Sequence, residues 1–430
     1  MLRTHYISDA LKEEGKEVTL AGWVHETRNL GKIKFLILRD RTGLIQITSK
    51  ENDTSADVHS MMEHPKETVL QVQGRITKSQ IAKAGFELIP SKIVVLSKIY
   101  KKVPFEVTGK TPADIDTRLD HRHVDLRTEH TNAIFKIQHT ILSAFREKCI
   151  DEGFQEIHTP SLTAAATEGG ADLFRVEYFE KEAFLVQSPQ LYKQLAVIGG
   201  MDRVFLIVPA FRAEKHNTST HLNECTQMDV EIGFADHHDA MDILERVILH
   251  INKKVSEINE SELKILNSTC PSIKKIPRFT YSQIVQKLNK AGVLFEWGKD
   301  FSREDEEKIR KLIPEDLYFI YDWPTKSRAF YSMPEEENKE ICHSFDLMYR
   351  GTEIASGAQR IHTPDLLEQQ IRFHNLNPID FKFYIEAFMV GAPPHAGWSI
   401  GLERLLMKIT NQRNIRECSL FPRDRTRLLP

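Results

Sequence analysis

The chain has 430 residues, of which 41% are hydrophobic and 28% are charged, a composition typical of ordinary globular proteins. This length predicts two or three domains. Because no apolar run approaches the roughly 20 residues that span a bilayer, and the N-terminus has no signal-peptide core, we expect no membrane partner. Five scattered cysteines without Cys-x-x-Cys spacing favour reduced thiols and a cytoplasmic location over a zinc site or a disulfide framework.

The net charge of −3 is unevenly distributed along the chain. Residues 1–103 hold 17 Lys and Arg against 12 Asp and Glu, whereas the remainder holds 41 against 49. A basic N-terminal segment followed by an acidic remainder is typical of a nucleic-acid module attached to an enzyme, although chance clustering of charges would give the same numbers.

Short apolar segments dominate the first hundred residues. Five or six strands separated by Gly-containing turns predict a small five-stranded barrel of the OB-fold kind, which binds oligonucleotides. The predicted strands are Val18–Val24, Phe35–Leu38, Leu44–Ile47, Val69–Gln73, Phe86–Ile89 and Ile93–Leu96.

A change of composition at residues 101–104 marks the end of this module, and the stretch that follows reads as a linker. Apolar residues at helical spacing then predict one helix from Ala133 to Phe145 and another from Met241 to Ile251. Strands are expected at Phe345–Met348 and Phe383–Glu386, and a last helix after Gly401. Residues 258–340 carry no chemical signature.

Two distant segments suggest a nucleotide site. If Arg212 and Glu214 lie on a strand, they face the same side, so the arginine can bridge a carboxylate and a phosphate oxygen while the glutamate accepts a hydrogen bond from a purine amino group. Glycines 397 and 401 permit close approach at a helix start, and Arg404 in that helix can stack on a purine ring. Taken alone, the first segment is also compatible with a surface ion pair, and the second with a helix-capping turn followed by a solvated arginine.

Between these segments lie oxygen-bearing side chains of the kind that Mg²⁺ accepts beside phosphates. They are Asp346, Glu353 and Ser356, and Arg360 follows with a guanidinium suited to a carboxylate substrate. Solvated surface charge is the alternative interpretation.

These blocks, in this order, resemble the class II aminoacyl-tRNA synthetases, in particular the compact archaeal form of the aspartyl/asparaginyl branch. The three signature blocks of that class resemble Gly153–Pro160, Arg212–Glu231 and Gly397–Leu406. The resemblance covers essentially the whole chain. It implies an α+β protein with a five-stranded OB-fold anticodon-binding barrel (1–103), a short hinge (104–130) and a class II catalytic domain (131–430), in which helices flank an antiparallel sheet and Gly153–Pro160 forms a homodimer interface.

The resemblance also implies the substrate. Lys193, in the segment Gln187–Lys193, is similar to the aspartyl form, and a cation is required there because a substrate carboxylate in a dry pocket needs a compensating charge. Asp229 is expected to orient Lys193 and Arg360. The remaining residues expected to bind aspartate are Glu168, Ser188, Gln190 and Arg212.

The implied reaction is that of an ATP-dependent aspartate–tRNA ligase. The aspartate α-carboxylate attacks the α-phosphorus of a bent ATP to give aspartyl-adenylate and pyrophosphate, and a tRNA 3′-terminal hydroxyl then takes the aspartyl group; positioning and charge neutralisation carry both steps. The catalytic residues are expected to be Arg212, Glu353 and Arg404. Further ATP contacts are expected from Glu214, His221 and Asp346, and Glu353 and Ser356 are expected to hold Mg²⁺. The chain departs from the family at Thr220, where arginine is usual, and at Trp398–Ser399, where Phe-Gly is usual.

By the same resemblance the barrel reads the anticodon of tRNA(Asp). The expected contacts are His25, Arg28, Phe35, Gln46 and Lys83, with the Phe35 ring stacking on a base and Gln46 bonding the central uridine. His25 is typical of enzymes that also charge tRNA(Asn), whereas Lys83 is typical of enzymes restricted to tRNA(Asp). The two positions disagree, and we give slightly more weight to His25.

Three other functions remain to be weighed. An asparaginyl-tRNA synthetase would lack Lys193, and an ATP-dependent amidating enzyme that makes free asparagine would lack the N-terminal barrel. A non-catalytic RNA-binding paralogue has no need to retain Arg212, Glu353 and Arg404 together.

Overall fold

The computed structural model describes residues 1–109, 111, 113–164, 173–215 and 218–429. They form two compact units, residues 1–129 and residues 130–430. The finer division with a hinge at 104–130 stays a prediction. Among the described residues, no helix combines the length and apolar character needed to cross a membrane.

The first unit contains the expected closed barrel, with strand order β1-β2-β3-β5-β4. Its strands are β1 (Glu17–Asn29), β2 (Ile33–Asp40), β3 (Gly43–Lys50), β4 (Val69–Lys78) and β5 (Phe86–Ser97), and its short helices are α1 (Ile7–Ala10), α2 (Ala56–Ser60), α3 (Ile115–Asp120) and α4 (Arg122–Asp125). Alternate residues of β1, such as Val18, Leu20 and Val24, are buried inside, as the period of a strand requires. The two segments predicted around residue 90 are one continuous strand, β5.

The second unit is built on an eight-stranded sheet with helices packed against it. Its helices are α5 (Glu129–Asp151), α6 (Gln190–Ala196), α7 (His237–Ile258), α8 (Glu260–Ile265), α9 (Tyr281–Lys290), α10 (Arg303–Leu312), α11 (Pro364–Phe373), α12 (Lys382–Phe388) and α13 (Leu402–Ile409). Its strands are β6 (Gln155–Glu156), β7 (Leu162–Thr163), β8 (Arg175–Tyr178), β9 (Lys181–Leu185), β10 (Arg203–Phe211), β11 (Glu224–Gly233), β12 (Arg278–Thr280), β13 (Leu317–Pro324), β14 (Ile341–Tyr349), β15 (Thr352–Arg360) and β16 (His395–Gly401).

The large sheet has the order β12-β13-β14-β15-β16-β11-β10-β6, and β7, β9 and β8 form a small separate sheet. The large sheet is mixed, because the edge pairs β12–β13 and β10–β6 are parallel. The strands between them run antiparallel, as expected. Helices α5 and α7 bury their apolar faces, for example Ile137 and Leu244, in the core under this sheet. Each such buried side chain stabilises the fold by roughly 1.5–3 kcal/mol.

One predicted strand is wrong. Phe383–Glu386 belongs to helix α12. Its buried residues Tyr384, Ile385 and Phe388, together with the N-cap residue Phe381, follow the i, i+3, i+4, i+7 spacing of a helix face. The aromatic content of the segment favours a strand locally, but the side chains pack as a helix in a cluster with Leu367 and Ile371 of α11.

Candidate active site

A row of polar side chains crosses the middle of the large sheet. The register places Asp346 opposite Ser356, Ser356 opposite Ser399, and Ser399 opposite Asp229. Residues directly opposite each other on neighbouring strands share one face, so these four side chains lie on the same side of the sheet. The adjacent row, Leu347, Ala355, Ile400 and Met228, belongs to the core beneath. The sheet therefore has one polar face and one apolar face at this point.

An open cavity of about 660 Å³ lies at this polar face. Six residues that the sequence predicts for a nucleotide site line it together: Arg212, Glu214, His221, Glu353, Ser356 and Arg404. The expectation that Arg212 and Glu214 lie on a strand is wrong, because β10 ends at Phe211. Asn223 holds the segment after that strand, since its side-chain amide donates to the carbonyl oxygens of Arg212 (2.6 Å) and Glu214 (3.0 Å).

Arg404 connects two walls of the cavity. Its Nη2 donates to His221 Nε2 (3.2 Å), and its Nη1 lies 3.4 Å from the Glu353 carbonyl oxygen and 3.8 Å from the Glu353 carboxylate. Because arginine only donates, His221 accepts at Nε2 and carries its proton at Nδ1, which donates to Thr218 Oγ1 (2.6 Å). The neutral tautomer of His221 is thereby fixed.

Asp346 is held beneath the cavity by an arginine that the sequence analysis missed. Both carboxylate oxygens accept from Arg328 (3.1 and 2.5 Å), and the Arg328 guanidinium lies 3.7 Å from the Trp323 ring. Burial raises the pKa of Asp346 to about 6; Arg328 opposes this shift and the charge of Glu353 adds to it. Arg328 lies in the segment 258–340, and no motif distinguishes it there.

The oxygen ligands expected for Mg²⁺ share one wall of the cavity. Glu353 and Ser356 both line it, and Asp346 lies opposite Ser356 in the register. Carboxylate and hydroxyl oxygens are hard ligands, and a cation here would relieve the repulsion between Asp346 and Glu353. The residues present therefore fit the ion.

A buried ion cluster adjoins the cavity. Lys193 is fully buried, and its ammonium group donates to Asp229 (2.7 Å) and to the carbonyl oxygens of Val230 (3.3 Å) and Trp398 (3.2 Å). These three bonds use all its protons. Ser399 joins the cluster to the cavity, because it lines the cavity and donates to Asp229 (3.3 Å).

Arg360 is in the same cluster, but its partner differs from the predicted one. Its Nε and Nη2 donate to Glu231 (2.9 and 3.2 Å), so the expectation that Asp229 orients Arg360 is wrong. Burial raises the pKa of Asp229 despite Lys193. For Glu231 the effect of burial is outweighed by Arg360 and Lys193, and its pKa lies below the ordinary value.

Beside the cluster, Ser188 and Gln190 are both buried. Ser188 Oγ accepts from the Gln190 backbone N–H (3.2 Å), and the Gln190 side-chain amide donates to Gln194 (2.9 Å). Gln194, which sequence reasoning missed, also bonds to Tyr384 and His395. Glu168 lies outside the described residues, so its predicted role stays a prediction.

A second, larger cleft of about 1890 Å³ opens next to Arg404 and His221. Its lining is rich in cations: Arg303, Arg310, Lys311, Arg350, Lys408 and Arg413. Glu306 also lines it, and burial raises the pKa of this carboxyl to about 7. A concentration of positive charge in a cleft attracts polyanions, and no sequence pattern predicts it because the cations of α10 meet Arg350, Lys408 and Arg413 only in the folded chain.

In the barrel, the predicted anticodon contacts lie mostly on one outer face. Arg28 lies opposite Phe35, and Phe35 opposite Thr48, two residues from Gln46. Phe35 is only partly buried, unlike its neighbour Leu36, so it is not a core residue. The Gln46 amide donates to Glu87 (3.0 Å).

His25 and Lys83 occupy different settings. His25 lies at a β-bulge, and Arg39, itself paired with Glu67, donates to its Nδ1 (3.0 Å). Burial and then the charge of Arg39 lower the pKa of His25. Lys83 is exposed in the loop between β4 and β5.

A closed OB-type barrel and a polar-faced sheet with an arginine-lined nucleotide cavity define a nucleotide-dependent enzyme with a nucleic-acid module. Residues 114–425 match the family "tRNA synthetases class II (D, K and N)", and residues 18–96 match the "OB-fold nucleic acid binding domain". The chain belongs to the class II tRNA synthetases.

Relatives align over the full chain. It is 48% identical to the aspartate–tRNA(Asp/Asn) ligase of Methanocaldococcus jannaschii over 100% of this chain and 98% of the relative. It is 47% identical to the aspartate–tRNA(Asp) ligase of Pyrococcus abyssi over 100% of both chains. Among solved structures, asparaginyl-tRNA synthetase from Pyrococcus horikoshii complexed with asparaginyl-adenylate superposes with a TM-score of 0.94 at 30% identity over 100% of both chains.

Proposed function

We propose that this protein is an aspartate–tRNA ligase. It activates L-aspartate with ATP to aspartyl-adenylate, releases pyrophosphate and transfers aspartate to the 3′ end of tRNA(Asp). The observation that carries this proposal is the buried Lys193–Asp229 pair beside the nucleotide cavity. The full-length identity to relatives named as aspartate–tRNA ligases supports it.

The nucleotide binds among the cavity's cations. Arg212 stabilises the charge at the α-phosphate and contacts the substrate carboxylate, Glu214 accepts from the adenine amino group, and Arg404 stacks on adenine. Mg²⁺ at Glu353 and Ser356, with Asp346 supporting, neutralises phosphate charge when bound. Because these groups are fixed before the reaction, they stabilise the transition state without reorganisation.

The outer phosphates lie next to His221, towards the basic cleft. Thr220 stands where many relatives have arginine, and the cations of the cleft supply positive charge in its place; Arg303 lies beside this loop, with its Nη1 3.4 Å from Ser219 Oγ. The same charge favours departure of pyrophosphate through the cleft.

Aspartate binds against the ion cluster, with Ser188 and Gln190 beside it and Glu168 at its ammonium group. Glu231 bonds the Nε and Nη2 atoms of Arg360, which leaves Nη1 to donate to the substrate side chain. Lys193 supplies the second positive charge by exchanging a backbone carbonyl partner for the carboxylate. The two cations lie in a dry environment, where their attraction for a carboxylate is strong.

Asparagine is the competing substrate, since a close structural match is an asparaginyl-tRNA synthetase. The test is ATP–pyrophosphate exchange with aspartate and with asparagine as the only amino acid. We expect exchange with aspartate, and at most a trace with asparagine, because a carboxylate accepts from both Lys193 and Arg360, whereas an amide would turn its own N–H donors towards one of these cations. Preference for asparagine would refute the assignment.

We also propose that the enzyme charges tRNA(Asn). Because Arg39 donates to His25 Nδ1, the ring carries its proton on Nε2. This N–H group can donate to the O2 atom of a pyrimidine. Cytosine and uracil share that acceptor, so a contact of this kind does not distinguish between them. Relatives at nearly equal identity carry both specificities in their names, so position 25 has to be tested directly.

The test compares charging of purified tRNA(Asp) and tRNA(Asn) by the parent and by His25→Trp, with His5→Trp, on the N-terminal segment, as the control. Tryptophan at position 25 should reduce the charging of tRNA(Asn) more than that of tRNA(Asp), and the control should match the parent. An unchanged ratio in His25→Trp, or no charging of tRNA(Asn) by the parent, would contradict this proposal and leave the aspartate assignment intact.

We further propose a cytoplasmic homodimer that associates through Gly153–Pro160. Ile150, at the end of α5 just before this segment, is an exposed apolar side chain that such a dimer would cover. Light scattering on the purified chain should give twice the 49.6 kDa chain mass; a monomer would exclude the dimer.

A further inference from the structure

Three potential metal ligands converge on the face of the sheet opposite the nucleotide cavity. They are His237 at the start of α7, Asp322 on β13 and His343 on β14. On β14, His343 lies on the same face of the sheet as the core residues Phe345 and Leu347, whereas Asp346 of the polar row lies on the other face. The three ligands and the nucleotide cavity are therefore on opposite faces of the sheet.

The distances within this cluster are short but not those of hydrogen bonds. His237 Nε2 and His343 Nδ1 each lie 3.8 Å from Asp322 Oδ1, and one ligand atom from each residue falls within 4.8 Å of the others. Ligands of a tetrahedral ion at 2.0–2.1 Å are about 3.3 Å apart. A contraction of about 0.5 Å would bring each histidine nitrogen to this separation from the Asp322 carboxylate.

The histidines have nitrogen atoms without hydrogen-bond partners. His237 is only 6% exposed, and within the described part of the chain neither its Nδ1 nor the buried Nδ1 of His343 has a hydrogen-bond partner. Buried polar atoms are normally satisfied, so the vacant His343 Nδ1, which is the nitrogen that faces Asp322, indicates a missing ligand.

The backbone places the carboxylate. Asp322 lies at a β-bulge, where the β13–β14 register shifts between Tyr321 and Trp323, and its φ of 59° is in the left-handed region. Bulges redirect side chains, and here the bulge places the carboxylate next to both rings. The rings are stacked, with centroids 4.5 Å apart, so binding requires one ring to turn about χ2, a soft torsion for histidine.

We propose that His237, Asp322 and His343 bind one Zn²⁺ ion, with water as the fourth ligand. Two imidazoles and a carboxylate suit Zn²⁺, whereas Mg²⁺ prefers oxygen ligands alone. The ion joins the start of α7 to strands β13 and β14, and its role is structural because the site lies on the opposite face from the nucleotide cavity.

The test uses the full-length protein, stripped with a chelator and kept in excess Mg²⁺ so that oxygen sites are filled. Zn²⁺ is titrated calorimetrically, and the melting temperature is measured with and without it. The variants are His343→Gln and Asp322→Asn, and the control is His238→Gln, the exposed neighbour of His237. Asparagine tolerates the left-handed backbone, so Asp322→Asn keeps the bulge even if His343→Gln folds poorly.

We expect the parent and the control to bind one Zn²⁺ equivalent that both variants lose or bind at least tenfold more weakly, and Zn²⁺ to raise the melting temperature of the parent and the control only. Co²⁺ in the same site should give a four-coordinate visible spectrum without thiolate charge-transfer bands. No saturable binding to the parent, equal binding to all four proteins, or thiolate bands would overturn the proposal.

Discussion

The two halves of the candidate site differ in how they hold charge. On the aspartate side, the Lys193, Asp229, Glu231 and Arg360 side chains are at most 4% exposed and bonded to one another. On the nucleotide side, Arg404 is 25% and Glu353 38% exposed, and they meet at 3.8 Å. One half is a closed ion cluster, and the other is an open wall of separate charges.

This difference assigns the two halves different tasks. In the closed half, two cations and two anions balance before substrate arrives, and the low dielectric makes any imbalance costly. The cluster therefore fixes the N–H donors of Lys193 and Arg360 before substrate arrives, and fixed donors suit discrimination between a carboxylate and an amide. In the open half the charges are partly screened and gain their effect when phosphates displace water. Substitutions should therefore cost stability in the first half and activity in the second.

The largest effect is expected from Asp229→Ala. It removes the carboxylate to which the fully buried Lys193 donates, and leaves Glu231, 3.4 Å from Lys193, shared between Lys193 and Arg360. Breaking a buried ion pair in this way costs roughly 3–5 kcal/mol. The midpoint of urea denaturation at neutral pH should fall accordingly. Lys264→Ala is the control, because its pair with Glu260 is about three-quarters exposed and such exposed pairs contribute little to stability.

Equal midpoints for Asp229→Ala and Lys264→Ala would show that the cluster is hydrated, and the contrast between the two halves would fail.

Arg404→Ala should leave the urea midpoint near that of the parent and lower ATP–pyrophosphate exchange by about 10²–10³-fold, the usual cost of removing one preorganised donor. The reason is its position between His221 and Glu353 in the cavity. Arg372→Ala on α11, an exposed arginine paired with Glu368, is the control and should exchange normally. Full exchange by Arg404→Ala would show that the cavity does not take part in the reaction.

The buried carboxyl group of Glu403, in the open half, extends the comparison between the two halves to the pH dependence of stability. Glu403 lines the cavity, accepts from the Thr226 backbone N–H (3.0 Å), and has its pKa raised by burial to about 7. A carboxyl whose pKa is raised on folding stabilises the protein below its unfolded pKa of 4.5, and this contribution is lost as the pH rises to 7. The loss is at most about 3 kcal/mol.

Glu403→Gln should therefore gain stability relative to the parent between pH 5 and pH 8, measured as the difference in urea midpoints at each pH. A difference that stays constant with pH would show that Glu403 is already ionised in the folded protein at pH 5.

Much of the fold and many of the residues of the candidate site could be predicted from the sequence. Periodicity gives the barrel strands and the helices α5, α7 and α13, and the family resemblance selects residues that do line one cavity. The choice of partner could not be predicted: Asp229 and Glu231 are two residues apart on one strand and face the same way, so only the register decides which of them Arg360 meets. Arg328 and the His237–Asp322–His343 cluster depend on contacts between distant elements, which no local pattern encodes.

The last comparison uses a matched pair of glycines, one in each half, and the smallest effect is expected at Gly401. A Cβ at Gly397 would overlap the Glu231 carboxylate and the Val230 carbonyl oxygen, whereas at Gly401 the nearest atom is Arg404 Cβ at 3.8 Å. Gly397→Ala should cost more than the about 1–3 kcal/mol of ordinary overpacking, and raise the KM for aspartate, because Glu231 is displaced from Arg360. Gly401→Ala should change only the KM for ATP, since it adds a methyl group to the cavity wall. If both variants raise the same KM, the two halves form one continuous pocket, and the division of tasks between them is wrong.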